Sequence, residues 1–352
     1  MNSYQRVFAA VRHARVDCVP VAPYMGNHGA KIGGAIISKY CTDGQIMAQA
    51  QLNAWKIYGQ DMLVAQSDNY YIAEGFGVRT KIPEDSTPFV LEYPVKKLED
   101  IYKLKVPDPF TDGRMPVYIE AVQLLKSRVG NQAVVRCPGT GCFSLAGHLM
   151  GTENFLMGLF EAENDPDGET AKALRHLLEA TSDALISFAK AIIGEGGDIA
   201  TVGDSLASID MISPNMYRNW AWPYERKVFS ALDDYKRKKN FATLLHICGN
   251  MTPVLSEMAE TGADIIELDY KVSLETAKQC IGESVCLIGN LDPASILLNG
   301  TPELVAEESQ KCIDAAGKGR GFILGSGCEL ALYTPVENVK AMIATARNNS
   351  FH

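Results

Sequence analysis

The chain contains no apolar run approaching the ~18–20 residues that a membrane-spanning helix needs, so no membrane partner is expected. Clusters of basic residues are also missing. The formal net charge is −9, with 33 lysines and arginines spread among 42 acids. A phosphate backbone is bound through concentrated positive charge, so nucleic acid is not expected as a partner. The first sixteen residues hold three arginines and no acid, but lack the apolar core of a signal peptide. Phe8, Val11 and Val16 in that stretch suit an ordinary amphipathic helix. Without a secretion signal, nine cysteines at scattered positions read as reduced thiols in a cytoplasmic protein and not as a disulfide framework. No linker long enough to divide the chain occurs, so residues 1–352 are expected to form a single domain.

Against these absences stands a regular alternation. Short, β-rich apolar runs recur at 18–24, 62–66, 133–137, 199–203, 243–248, 265–269, 285–290 and 322–325. Most are separated by helical patterns with clear ends, such as 116–130, or the stripe Leu174, Leu177, Leu178, Leu185, Phe188 and Ile192 closing at Gly194. Continuously apolar strands such as LLHIC and VCLIG are what a buried parallel sheet requires. Eight strands alternating with helices predict an α/β fold, a single (β/α)8 TIM barrel preceded by an N-terminal helix. Residues 77–94 instead alternate one by one and turn between Pro83 and Pro88, predicting a β-hairpin inserted after strand two. Residues 103–114, rich in proline and aspartate, are expected to loop over the surface into the next helix.

A barrel of this kind carries its chemistry at the carboxyl ends of its strands. Asp68, Cys137, Asp204, His246, Cys248, Asp269, Asn290 and Cys328 all fall there. His246 and Cys248 are two apart on one strand and point to the same face, so both can reach one ion. The turn GSGC following strand eight can bring Cys328 to it. One imidazole and two thiolates would leave a fourth tetrahedral position open. The alternative is that these are packed strand residues, since free cysteine behaves as a small hydrophobe. From the chemistry alone, both readings stand.

The segments LLHICGN with a later SGCEL, VGDSLASIDMISPNMYRNWAWPYE, CPGTGCFSLAGHLMG, TGADIIELD and LIGNLDP together resemble the uroporphyrinogen decarboxylase superfamily over nearly the whole chain. The H-x-C-x79-C element resembles its zinc-dependent corrinoid methyltransferase branch, which includes methylcobamide:coenzyme M methyltransferases. The resemblance implies Zn2+ on His246, Cys248 and Cys328, a methyl group carried by a methylcobamide on a corrinoid protein, and a zinc-activated thiol or other small acceptor. The reverse direction, a small methyl donor passing its methyl to a corrinoid, is the alternative. True decarboxylases carry arginines after the first strand that grip propionates. The corresponding stretch here, APYMGNHGAKIGGA, has none, which argues against a tetrapyrrole polyacid.

Four further residues are candidates, Asp269 and Asp68 from the same likeness and His28 and Asn290 from their place in the chain. Asp269 falls where the coenzyme M branch places an acid able to fill the fourth zinc position, with Glu267 as second choice; the alternative is a strand-end acid bound to backbone amides. Asp68 resembles the catalytic aspartate position of the decarboxylases and is expected to hold the substrate's polar tail or shape the corrinoid contact. His28, in the GNHGAKIGG loop, is a candidate to reach substrate or an axial corrinoid position. Asn290, in GNLDP, is a candidate on the cofactor side of a turn whose Asp292 caps the next helix. The oligomeric state is open.

Overall fold

A computed structural model describes residues 1–316 and 320–350. Among them lie nine strands: β1 Met62–Val64, β2 Arg79–Lys81, β3 Phe89–Glu92, β4 Val134–Arg136, β5 Ile199–Gly203, β6 Ala242–Ile247, β7 Ile265–Leu268, β8 Cys286–Leu291 and β9 Phe322–Ser326. Seven form one parallel sheet in the order β1-β4-β5-β6-β7-β8-β9. Each matches an expected apolar run, and most of their residues are buried because helices cover the outer face. The expected helices are also present. Met115–Val129 begins with Pro116 in its first turn and stops at Gly130, and the stripe from Leu174 to Ile192 forms the buried face of Glu169–Gly194.

The first run departs from expectation. Residues 18–24 form no strand but an extended segment with isolated bridges, Val21 to Leu324 and Cys18 to Ser350. Pro20 and Pro23 explain this, since each removes an amide that a continuous ladder would need. The remaining groups still bond on both sides. Ala22 N–H donates to Leu324 O and Leu324 N–H to Pro20 O, both at 2.8 Å, while Asp61 N–H donates to Val21 O at 2.9 Å. One short segment thus touches β9 and the residue preceding β1.

The sheet is strongly curled, and one ion pair makes this visible. Arg136 on β4 and Glu267 on β7 are three strands apart, about 14 Å along a flat sheet at ~4.8 Å per strand. Their side chains nonetheless meet at 2.6 and 2.7 Å. Side chains standing roughly perpendicular to a flat sheet could not close that distance, so both must point into a concave face.

The expected hairpin is β2 with β3, antiparallel, with a register irregularity at Arg79/Thr80. At the amino-terminal side of the sheet, the buried Asp61 carboxylate is shared. It accepts from Arg6 at 2.9 Å, from both terminal nitrogens of Arg347 at 2.7 and 2.8 Å, and from the Val21 amide at 2.8 Å. This joins the first helix, Ser3–Val11, and the last, Val336–Asn348, to the sheet.

Candidate metal centre

β6 delivers His246 and, just beyond its end, Cys248; Cys328 follows β9. The Cys248 sulfur lies 3.3 Å from His246 Nε2 and 3.8 Å from the Cys328 sulfur. Among the described residues, this is the one group of three or more His, Cys, Asp or Glu side chains whose ligand atoms converge, all within 4.8 Å of one another. Tetrahedral zinc with Zn–S of about 2.3 Å and Zn–N of about 2.0 Å spans an S···S edge of about 3.8 Å and an S···N edge of about 3.5 Å. The donor set and its spacing fit that ion.

The surroundings hold the three in place. His246 Nδ1 faces Glu267, 3.2 Å from its carbonyl oxygen and 3.3 Å from its carboxylate Oε2. Glu267 is gripped at both oxygens by Arg136, whose guanidinium lies 4.4 Å over the Tyr24 ring and also donates to Thr201 Oγ1 at 3.3 Å. The Ser205 hydroxyl stands 3.2 Å from the Cys248 sulfur. Burial works against charge on His246, but the Cys248 sulfur and the Glu267 carboxylate outweigh it and raise its pKa to about 9. The hydrogen bond from Cys328 pulls the Cys248 thiol well below its ordinary range, helped by His246, and the same bond pushes Cys328 up.

A cavity of about 110 Å³ opens on the tripod, bordered also by Tyr24, Asp68, Asn69, Arg136 and Glu329. Asp68 is held rigidly. Both oxygens accept from Arg114 at 2.8 Å, and Ser67, Tyr118 and the Tyr70 amide donate as well. Burial alone would raise its pKa, yet the Arg114 pair wins and lowers it. The loop 103–114 does run into a helix as expected, and its last residue turns inward to make this pair.

The other candidates lie differently. Asp269 accepts from the amides of Gly249 and Lys271, at 2.8 and 2.9 Å, and is outside the converging group. Glu267 is committed to Arg136 and backs His246 from behind. His28 sits in the helix Asn27–Ile32, completely buried, with Nε2 2.9 Å from the Tyr58 hydroxyl and Nδ1 3.3 Å from Leu332 O. It does not border the cavity, because the glycine-rich stretch folds into a short packed helix and not an open loop. Asn290 donates to the carbonyls of Asp269 and Val272, at 3.0 and 2.7 Å, tying the ends of β7 and β8 together. Arg136, Glu329 and Ser205 were not singled out from the sequence. An arginine within AVVRC and a glutamate inside the strand IIEL, each the one charge in a buried run, were the signal for the first.

A curled parallel sheet whose carboxyl edge gathers one histidine and two cysteines defines an α/β fold of the kind that carries its chemistry at that edge. The chain belongs to the uroporphyrinogen decarboxylase (URO-D) family, whose model matches residues 2–349. It is 32% identical over 351 residues to methylcobamide:CoM methyltransferase MtbA of Methanosarcina acetivorans, covering 99% of this chain and 98% of that protein. The MtbA of Methanosarcina mazei is 32% identical over 348 residues, covering 98% and 97%. A solved structure described as a methyltransferase from Methanosarcina mazei superposes with a TM-score of 0.86 at 27% identity, covering 99% of both chains.

Proposed function

We propose that this chain is a corrinoid-dependent methyltransferase, moving a methyl group between a methylcorrinoid carried on a partner protein and a small acceptor such as a thiol. The observation that carries the reading is the convergence of His246, Cys248 and Cys328 at tetrahedral spacing, in a chain alike from end to end to methylcobamide:CoM methyltransferases. Zinc held by these three side chains would lower the pKa of a bound thiol so that it is deprotonated at neutral pH, while the two thiolate ligands keep the local charge low.

The protein's own groups then have definite tasks. Glu267, clamped by Arg136, fixes the His246 ring. Ser205 supports the Cys248 sulfur. Asp269 shapes the turn after Cys248 by holding the Gly249 amide, which leaves the fourth ligand position to the acceptor. The cavity of about 110 Å³ suits a small molecule and is far below the several hundred Å³ of drug-sized ligand sites. Together with the arginine-free stretch after the first expected strand, this argues against a tetrapyrrole substrate. The wider assembly follows from the same reading: one cytoplasmic domain over 1–352, its sheet closed into a barrel through residues 20–22, and a corrinoid protein docked over the carboxyl edge.

Two measurements test this. Purified protein should contain about one zinc per chain, and should consume the visible absorbance of methylcobalamin when a small thiol is supplied. Protein without stoichiometric metal, or inert toward methylcobalamin with any thiol, would overturn the reading. Transfer seen only from a methylated donor to reduced cobalamin would reverse its direction.

A further inference from the structure

We propose that Asn69 holds the small methyl acceptor by donating from its side-chain amide to an oxygen on the acceptor's tail, and that Asp68 beside it touches no substrate but positions this amide. The proposal rests on the functional reading above and adds to it a residue that selects the acceptor.

The segment after β1 supplies three side chains to the cavity wall, Gln66, Asp68 and Asn69. They differ in what they have left to offer. The Oδ1 of Asp68 accepts from Arg114 at 2.8 Å and from the Tyr70 amide at 2.9 Å. Its Oδ2 accepts from Arg114 and Ser67, both at 2.8 Å, and from Tyr118 at 3.1 Å. Five donors thus fill a carboxylate that has about four lone-pair sites. A group so occupied holds its own chain in place and has no acceptor left for a ligand.

Gln66 is 4% exposed, and the direction of its amide is forced. Its Nε2 donates to the main-chain carbonyl of Asp68 at 2.6 Å, and a carbonyl can only accept, so the nitrogen end must face it. The same Nε2 reaches Asn69 Oδ1 at 3.2 Å. Turning the Asn69 amide over would set one NH2 group against another, so its oxygen faces Gln66 and its Nδ2 points away. Asn69 is also pinned through its main chain, whose carbonyl accepts from Thr140 Oγ1 at 3.1 Å. Among the described residues, Asn69 Nδ2 donates to no protein acceptor, and the side chain stands exposed at the border of the cavity.

Two N–H groups held in a fixed direction need little further ordering when a ligand arrives. They suit an oxygen acceptor, whether of a hydroxyl, a carboxylate or a sulfonate. A cavity of about 110 Å³ cannot admit a corrin macrocycle, so the oxygen that meets them there belongs to the small methyl acceptor.

Three thiols of equal chain length test the inference: ethanethiol, 2-mercaptoethanol and 2-mercaptoethanesulfonate, of which only the last two carry a tail oxygen. Each is assayed with free methylcobalamin and zinc-loaded protein. The thiolate supplies the electron pair for the new C–S bond, the thiol proton passes to buffer, and the Co–C pair stays on cobalt as cob(I)alamin, whose absorbance is read. Asn69→Ala should lower kcat/KM for at least one oxygen-bearing thiol, relative to ethanethiol, by about 3–10-fold and chiefly through KM, equivalent to ~0.7–1.4 kcal/mol, the worth of one hydrogen bond. Calorimetric binding of the same thiols to zinc-loaded protein should show the same relative loss without any turnover. Asp68→Asn should lower this ratio in the parent and leave it unchanged in the Asn69→Ala background, because it acts through Asn69. Ratios that stay at the parent value in Asn69→Ala for both oxygen-bearing thiols overturn the inference, as does a loss that falls on KM for methylcobalamin instead. An effect of Asp68→Asn that is absent from the parent, or equal in both backgrounds, overturns the positioning role. Failure of the parent protein to methylate any of the three thiols overturns the functional reading instead.

Discussion

The Oε2 atom of Glu267 stands 3.3 Å from Nδ1 of His246, leaving the opposite ring nitrogen to face the Cys248 sulfur. Partners that orient a ligand histidine in this way typically contribute 10–100-fold to metal affinity. Glu267→Gln should therefore weaken zinc binding by about 10–100-fold in a chelator competition. Glutamine still offers Arg136 an acceptor, so the variant should melt as one cooperative unit. Unchanged affinity would leave Glu267 a partner of Arg136 and nothing more.

His246→Ala, Cys248→Ala and Cys328→Ala should each abolish stoichiometric zinc without unfolding the protein, because the three lie at the carboxyl edge and outside the packed interior of the sheet. The comparison is with chelator-stripped parent protein. Each variant should share its melting temperature, and a much lower value would make the cluster a folding nucleus and not a working site.

The turn of the β2–β3 hairpin borders the carboxyl edge: Asp85, Ser86 and Thr87 line a surface groove together with Asn27 and Glu329. Its strands expose Phe89 and Leu91, apolar side chains of the type that mark docking surfaces. Shortening the turn should reduce turnover with methyl bound to a corrinoid protein more than with free methylcobalamin. Equal losses with both donors would remove the hairpin from the docking surface.

Asp61 is fully buried and holds two arginines. Removing one member of a buried ion network leaves the other charges uncompensated, so Asp61→Asn should cost about 3–5 kcal/mol in denaturant unfolding. Zinc content per folded molecule should not change. A loss below about 1 kcal/mol would mean that water replaces the carboxylate, as at exposed pairs.

His148 packs against Tyr70 with ring centroids 4.8 Å apart and the rings tilted by 56°, and desolvation lowers its pKa from 6.5 to about 4. The unfolded chain therefore takes up this proton first as the pH falls. Its contribution to stability is complete above about pH 6.5, declines between 6.5 and 4, and is gone below that. At ~1.4 kcal/mol per unit the total is at most about 3.5 kcal/mol. His148→Gln should flatten the difference in unfolding free energy across that window. Parallel pH profiles for parent and variant would show that the imidazole is solvated.

The strands were legible because burial on both faces leaves an uninterrupted apolar run, and H-x-C on such a run points two ligands the same way. Cys328 could be joined to them only by expecting the strands to close round into a barrel, since the distance closes by curvature of the sheet. The same holds for Arg136 and Glu267, whose separation of 131 residues no local pattern encodes. His28 misled for a local reason: glycines at 26, 29, 33 and 34 read as a loop, yet Gly29 and Gly33 are where Gln51 and the backbone of Ala50 press too close for a side chain. Small residues there serve helix packing and not mobility.

The bond from the Tyr24 amide to the Ser326 hydroxyl joins residues 302 apart, beside the bridge of Val21 to Leu324. On a ribosome, the segment around Tyr24 must wait for the 302 residues up to Ser326 to emerge before it finds these neighbours. Contacts of such sequence separation slow folding and leave sheet edges bare in the meantime. The edges of β1 and β9 are thus the surfaces that a nascent chain must keep covered, and lengthening the wait by rare codons late in the message should lower the yield of native protein more than the same pause placed early.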